Sequence, residues 1–191
     1  MEVPMILLIN ACVRSGSRTR KLADALLSKL DGDVVEVDLG NISFPVVDEA
    51  FLAKRDELEE KCCWDDPMFD LARQFASADQ VVVAAPYYDL SFPASLKQYF
   101  EQINVLGITF EYSPQGMPIT MCKANRLYYV TTAGGAYVPE EFGFGYVKAL
   151  AQGFYGIEDV RQIRAVGLDI EDADVDAIIC EAMKACDTIA K

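Results

Sequence analysis

The chain has 191 residues, 52% hydrophobic and 25% charged, the composition of a soluble globular protein long enough for one full-sized core. Its formal net charge of −13 disfavours nucleic acid and anionic membrane as partners, and no apolar run reaches the length of a membrane span. There is no histidine, so the usual zinc sites and Ser-His or Cys-His nucleophile pairs are excluded, and no metal is expected.

Met5–Ile9 is a wholly apolar run and reads as the first, central strand of a sheet buried on both faces. No basic stretch precedes it, so no signal peptide is expected, and the cytoplasm is the expected location. The six cysteines form neither CxxC pairs nor a secreted framework. Asn10–Arg20 follows as a polar loop, then a helix with Leu22, Leu26 and Leu30 on one face, closed by Gly32. Val34, Val35 and Val37 make a second strand ending at Asp38, a β-loop-α-β unit that should cross over right-handed. Residues 41–67 are the least regular: Phe44–Val47 looks extended, Glu49–Lys61 reads as a charged helix, and Cys62–Pro67 breaks it. The spacing makes this an excursion from the sheet that covers a pocket.

Met68–Ala78 is an amphipathic helix leading to Val81–Ala85, an unbroken apolar run that reads as the third strand. Pro86 stops it, having no N–H for a ladder. The loop Pro86–Phe92 carries two tyrosines and an aspartate, and Ser91 and Pro93 open a helix on which Leu96, Tyr99, Phe100 and Ile103 recur at helical spacing. Ile108–Tyr112 and Met117–Thr120 flank a Ser-Pro-Gln-Gly turn, so a hairpin arm is expected over 108–120. Arg126–Thr132 is the fourth sheet strand and ends in Ala133-Gly134-Gly135-Ala136-Tyr137. Phe142–Tyr155 reads as helix, Val160–Val166 as the fifth strand and Ala173–Ile189 as the last helix. Five strands alternating with helices make a doubly wound α/β sandwich, a single domain over 1–191.

In that topology the loops after strands one, three and four meet at the carboxyl edge of the sheet. The first offers Ser15, Ser17 and Thr19 hydroxyls, Gly16 for close backbone approach, and Arg14 and Arg18 charges, a composition suited to a phosphate at a helix N-terminus. The second supplies Tyr87, Tyr88, Leu90 and Phe92 as an apolar wall for a flat ring, with loop N–H groups for its edge. The third has two adjacent glycines, where backbone comes close to a ligand. Each loop thus suits a different part of flavin mononucleotide (FMN). A dinucleotide site is disfavoured because the first loop has no GxGxxG, which leaves Asp38 as a strand-terminal or capping residue.

The segments Ser17-Arg18-Thr19-Arg20-Lys21-Leu22, Pro86-Tyr87-Tyr88-Asp89-Leu90-Ser91-Phe92-Pro93, Gly107-Ile108-Thr109-Phe110 and Thr131-Thr132-Ala133-Gly134-Gly135 carry a family likeness. The chain resembles the flavodoxin-like FMN-dependent NAD(P)H:quinone reductases and azoreductases, within the NADPH-dependent FMN reductase superfamily. The resemblance implies a three-layer sandwich with sheet order 2-1-3-4-5, non-covalent FMN, NADH or NADPH as donor, quinone or azo acceptors, a ping-pong reaction and a homodimer. By position, Ser15, Ser17, Arg18 and Thr19 would hold phosphate, Pro86, Tyr87, Tyr88, Asp89 and Leu90 would line the flavin N5 side, and Thr132, Gly134 and Gly135 its pyrimidine end. Tyr88, Phe92 and Tyr137 are candidate walls of the substrate slot, with Trp64 or Phe110 from a partner subunit, and no side chain is required as acid. The chain departs from many relatives at Asp89, where asparagine is common; an ionised carboxylate there would disfavour an anionic reduced flavin. It also departs in a shorter first loop carrying Ala11 and Cys12. The alternative from another class is a non-enzymatic, flavodoxin-like electron carrier, to which the acidity is suited. A third reading makes Cys62-Cys63 a thiol redox site.

Overall fold

The computed structural model describes residues 3–190. In chain order the elements are β1 (Met5–Asn10), α1 (Arg18–Leu27), β2 (Asp33–Asp38), α2 (Glu49–Glu60), α3 (Asp70–Ser77), β3 (Gln80–Ala84), α4 (Ala94–Ile103), β4 (Phe110–Tyr112), β5 (Pro118–Thr120), β6 (Arg126–Thr132), α5 (Phe144–Gly153), β7 (Asp159–Ala165) and α6 (Val175–Ile189). The parallel sheet runs β2-β1-β3-β6-β7. The hairpin strands β4 and β5 form a separate two-stranded sheet, so the expected fourth and fifth strands of the parallel sheet are β6 and β7.

Ile6–Ile9 and Val81–Ala85 are fully buried, as apolar runs without a polar face require. Successive side chains alternate between faces. Leu7, Ile9, Val81, Val83, Leu127 and Tyr129 join one core with Phe69 and Phe75, Leu96 and Phe100 of α4, and Val147 of α5. Ile6, Leu8, Val82, Ala84, Tyr128 and Val130 join the other with Leu22 and Leu26 of α1 and Ala182 and Cys186 of α6.

Element ends shift where capping competes with periodicity. Ser17 caps α1, which stops at Leu27, leaving Leu30 in the following turn, still packed on the second core. Pro67 starts a 3-10 turn whose Asp66 side chain accepts the Met68 amide, so the helix expected from Met68 begins only at Asp70. Asp38 caps the chain after β2, its Oδ1 accepting the Gly40 amide at 3.0 Å.

The excursion packs on α4 and lines a groove of its own. Arg55 of α2 donates to the carbonyls of Glu101 and Asn104 at the C-terminal end of α4, where helix carbonyls lack intrahelical partners. The groove it forms, lined by Phe44, Phe51, Met68 and Leu71, lies over α3 and α4.

Candidate functional site

The first turn of α1 forms one end of a cleft. Ser17 Oγ accepts the Arg20 amide at 3.2 Å, while the amides of Arg18 and Thr19 have no partner among the described residues. Such amides carry the positive end of a helix dipole and suit an anion. The arginines of this loop separate. Arg20 is drawn away, 2.8 Å from Asp24 and 2.6 Å from Glu36, which raise its pKa further. Arg14 is exposed beside the cleft. Arg18 crosses the cleft, donating to Asp169 Oδ1 at 2.8 Å and to the Leu168 carbonyl at 3.2 Å.

After β3, the Tyr87 amide bonds the Thr132 carbonyl at 3.0 Å and continues the ladder past Pro86. Tyr88 and Ser91 then exchange backbone bonds of 3.0 and 2.8 Å around a two-residue turn. Asp89 (φ 48°) and Leu90 (φ 70°) form its corner, both with the positive φ of a type I′ turn. A leucine held there costs about 1–3 kcal/mol, so the surrounding contacts must enforce it. One such contact is Ser91 Oγ donating to the Phe142 carbonyl at 2.5 Å. The turn leaves the Asp89 and Leu90 amides without partners among the described residues. The Tyr87 hydroxyl is buried and unpartnered, and burial, with nearby Tyr137, pushes its pKa up.

After β6, the hydroxyls of Thr132 and Thr19 meet at 2.6 Å and join the third loop to α1. A fourth loop joins them from the end of β7. Its Gly167, Leu168 and Asp169 amides bond the carbonyls of Gly135, Ala133 and Gly134 at 3.0, 3.2 and 3.0 Å. Gly134 sits at a close approach: a Cβ there would lie 2.2 Å from Asp169 Oδ2, so any side chain must move the carboxylate.

Together these loops enclose a cleft of about 300 Å³. Of the residues expected to hold cofactor, Arg14, Ser17, Arg18, Thr19, Pro86, Tyr87, Tyr88, Thr132 and Gly134 line it. Ser15, Asp89, Leu90 and Gly135 are adjacent in the chain but outside the lining. Of the candidate walls of the substrate slot, Tyr88 lines the cleft. Phe92 is turned into an aromatic cluster with Phe100 and Tyr146, at 6.1 and 5.5 Å. Tyr137 is 77% exposed. Within this chain Trp64 packs on Phe69 and against Gly107, and Phe110 on Phe154. Leu168 and Asp169 escaped the sequence reading; the available pointer was their place directly after the fifth strand, on the same carboxyl edge.

A sequence profile described as a flavodoxin-like fold matches residues 4–189. An FMN-dependent NADH:quinone oxidoreductase of Clostridium beijerinckii is 33% identical over 194 residues, covering 95% of this chain and 94% of that protein. A protein of the same description from Lachnoclostridium phytofermentans is 35% identical over 186 residues, covering 92% and 91%. An azoreductase structure from Bacillus anthracis superposes with a TM-score of 0.83 at 24% identity, covering 98% of both chains, a likeness of fold. No helix among the described residues is long and apolar enough to cross a membrane. This chain belongs to the flavodoxin-like family that includes the FMN-dependent NADH:quinone oxidoreductases.

Proposed function

We propose that the chain is an FMN-dependent oxidoreductase that passes two electrons from NADH to quinone or azo acceptors. The observation that carries this reading is a cleft with an anion cradle at the start of α1 and, directly after its lining residues Tyr87 and Tyr88, a strained turn whose amides have no partner among the described residues. The matching relatives are described as FMN-dependent NADH:quinone oxidoreductases over nearly the whole chain.

The residues present fit FMN. The Arg18 and Thr19 amides, with Arg14 and Arg18, suit its phosphate, and Ser15 lies within reach in the same loop. The Asp89 and Leu90 amides suit the N5 side of the ring, and Thr132, Gly134 and Gly135 its pyrimidine end. Pro86 and Tyr88 exclude water from one side. When bound, the flavin supplies the hydride chemistry, and the protein orients it. NADH and the acceptor take the same slot in turn, a ping-pong sequence, with Tyr137 at its open rim. Tyr87 keeps its proton at neutral pH, as a phenol ordinarily does, and burial disfavours the phenolate further, so its hydroxyl can donate a hydrogen bond. Water supplies the product's proton.

The proposed assembly is a homodimer. The hairpin exposes Met117, Ile119 and Met121, at alternate positions of the chain through β5, an apolar stripe suited to a second copy. Free thiols at all six cysteines suit a reducing compartment such as the cytoplasm. Steady-state kinetics of the FMN-loaded chain with NADH and menadione test the reading. Parallel double-reciprocal lines are expected, and no NADH oxidation at any FMN concentration would overturn it.

A further inference from the structure

Among the described residues Asp169 is the one carboxylate lining a cleft that is otherwise basic or neutral, and the proposed cofactor is itself an anion. A carboxylate beside a phosphate is unfavourable unless it has other work there. Its Oδ1 holds Arg18 at 2.8 Å, while Oδ2 has no partner among the described residues and lies against Gly134. The Asp169 amide bonds the Gly134 carbonyl at 3.0 Å, which places the side chain between the first turn of α1 and the loop after β6. These are the proposed phosphate and ring ends of the site. The serine and threonine hydroxyls lining the cleft already have partners, Ser17 Oγ in the Arg20 amide and Thr19 and Thr132 in each other.

We infer that Asp169 recognises a polyol, the ribityl chain that links phosphate to ring, its Oδ2 accepting hydroxyl protons while its Oδ1 steadies Arg18. This rests on the flavin reading above. A hydroxyl bonded to a carboxylate is a strong, charge-assisted contact, and it gives the acidic residue a favourable partner in an anion site. Gly134 follows from the same arrangement, since any side chain there would displace the carboxylate.

Binding of three flavins, followed by quenching of flavin fluorescence, separates the roles. FMN has phosphate and polyol, riboflavin only the polyol, and lumiflavin neither. Asp169→Ala is expected to weaken riboflavin by about tenfold and FMN by at least as much, since Arg18 is loosened too, and to leave lumiflavin unchanged. Asp169→Asn, close in shape and retaining an acceptor oxygen, should fall between, which guards against a folding defect in the alanine variant. Arg18→Gln should weaken FMN and spare riboflavin. If Asp169→Ala lowers FMN affinity but not that of riboflavin, Asp169 acts only through Arg18 and the inference fails. Tighter FMN binding by Asp169→Asn also overturns it, by showing that the carboxylate only repels phosphate. A wild-type chain that binds none of the three flavins overturns the cofactor reading itself, and the inference with it.

Discussion

Gly134 and Asp169 show how one missing side chain shapes the site. A Cβ at Gly134 meets the far end of a flexible carboxylate, not backbone, so the side chain can swing aside. Gly134→Ala should therefore change unfolding free energy by about 0.5 kcal/mol or less, measured in urea, while weakening FMN binding severalfold by displacing Asp169. The thiols make a second residue-scale prediction. Cys62, Cys63 and Cys180 are exposed, whereas Cys186 is buried, and burial pushes Cys122 up to about 12. A chromogenic disulfide reagent at pH 8 should modify the exposed three quickly, and Cys122 and Cys186 only on unfolding. At this scale the sequence was half legible. The serine, threonine and glycine pattern after β1 pointed to the cleft, but it did not rank the arginines. Arg20 is taken by Glu36, sixteen positions away on β2, and Arg18 by Asp169, 151 positions away. Such pairs depend on strand order. The surroundings of Phe92 were hidden for a similar reason: its place in a loop did not reveal that it packs with Phe100 and Tyr146.

β1 and β3 were legible because a fully buried strand has to be apolar throughout, whereas β2 and β7, at the edges of the sheet, are only partly buried and carry charges. Leu8 of β1 is fully buried in the core beneath α1 and α6, so Leu8→Ala should cost about 2–5 kcal/mol in urea unfolding. Helix starts were less legible, since a cap or a proline overrides the apolar spacing, as Pro67 does before α3. The turn at Asp89 and Leu90 was hidden too, because neither residue is the glycine or asparagine that usually marks a type I′ turn. Between β6 and β7 the sheet edge is joined by ions: Asp159 lies 2.7 Å from Arg161 and 2.6 Å from Arg126, which hold its carboxyl below the usual carboxylate range. The unfolded chain therefore binds the proton more readily. The stabilisation is complete above the unfolded pKa, about 4, and is lost as pH falls through the lower folded value. Asp159→Asn should cost about 1 kcal/mol or less at pH 7 and should flatten the stability profile below pH 4, measured by urea titrations at stepped pH.

At the scale of the whole molecule, the order of strands turns four separate loops into one cleft. The rule that loops cluster at the carboxyl edge made three of them readable in advance; the loop after β7 obeys the same rule but carries no glycine-rich or hydroxyl-rich pattern. The acidity, with a net charge of −13, suits both an enzyme and an electron carrier, so composition does not separate them. Assembly helps to do so. The exposed apolar face at the hairpin predicts a dimer by sedimentation, and Ile119→Glu together with Met117→Glu should shift it to monomer.

The most direct measurement is the flavin absorbance of the FMN-saturated protein under anaerobic conditions, first with one equivalent of NADH and then with one of quinone. Bleaching of the flavin band by NADH, followed by full recovery on quinone addition, is the predicted result. A bound flavin whose band NADH leaves unchanged would contradict the enzymatic reading and point to an electron carrier.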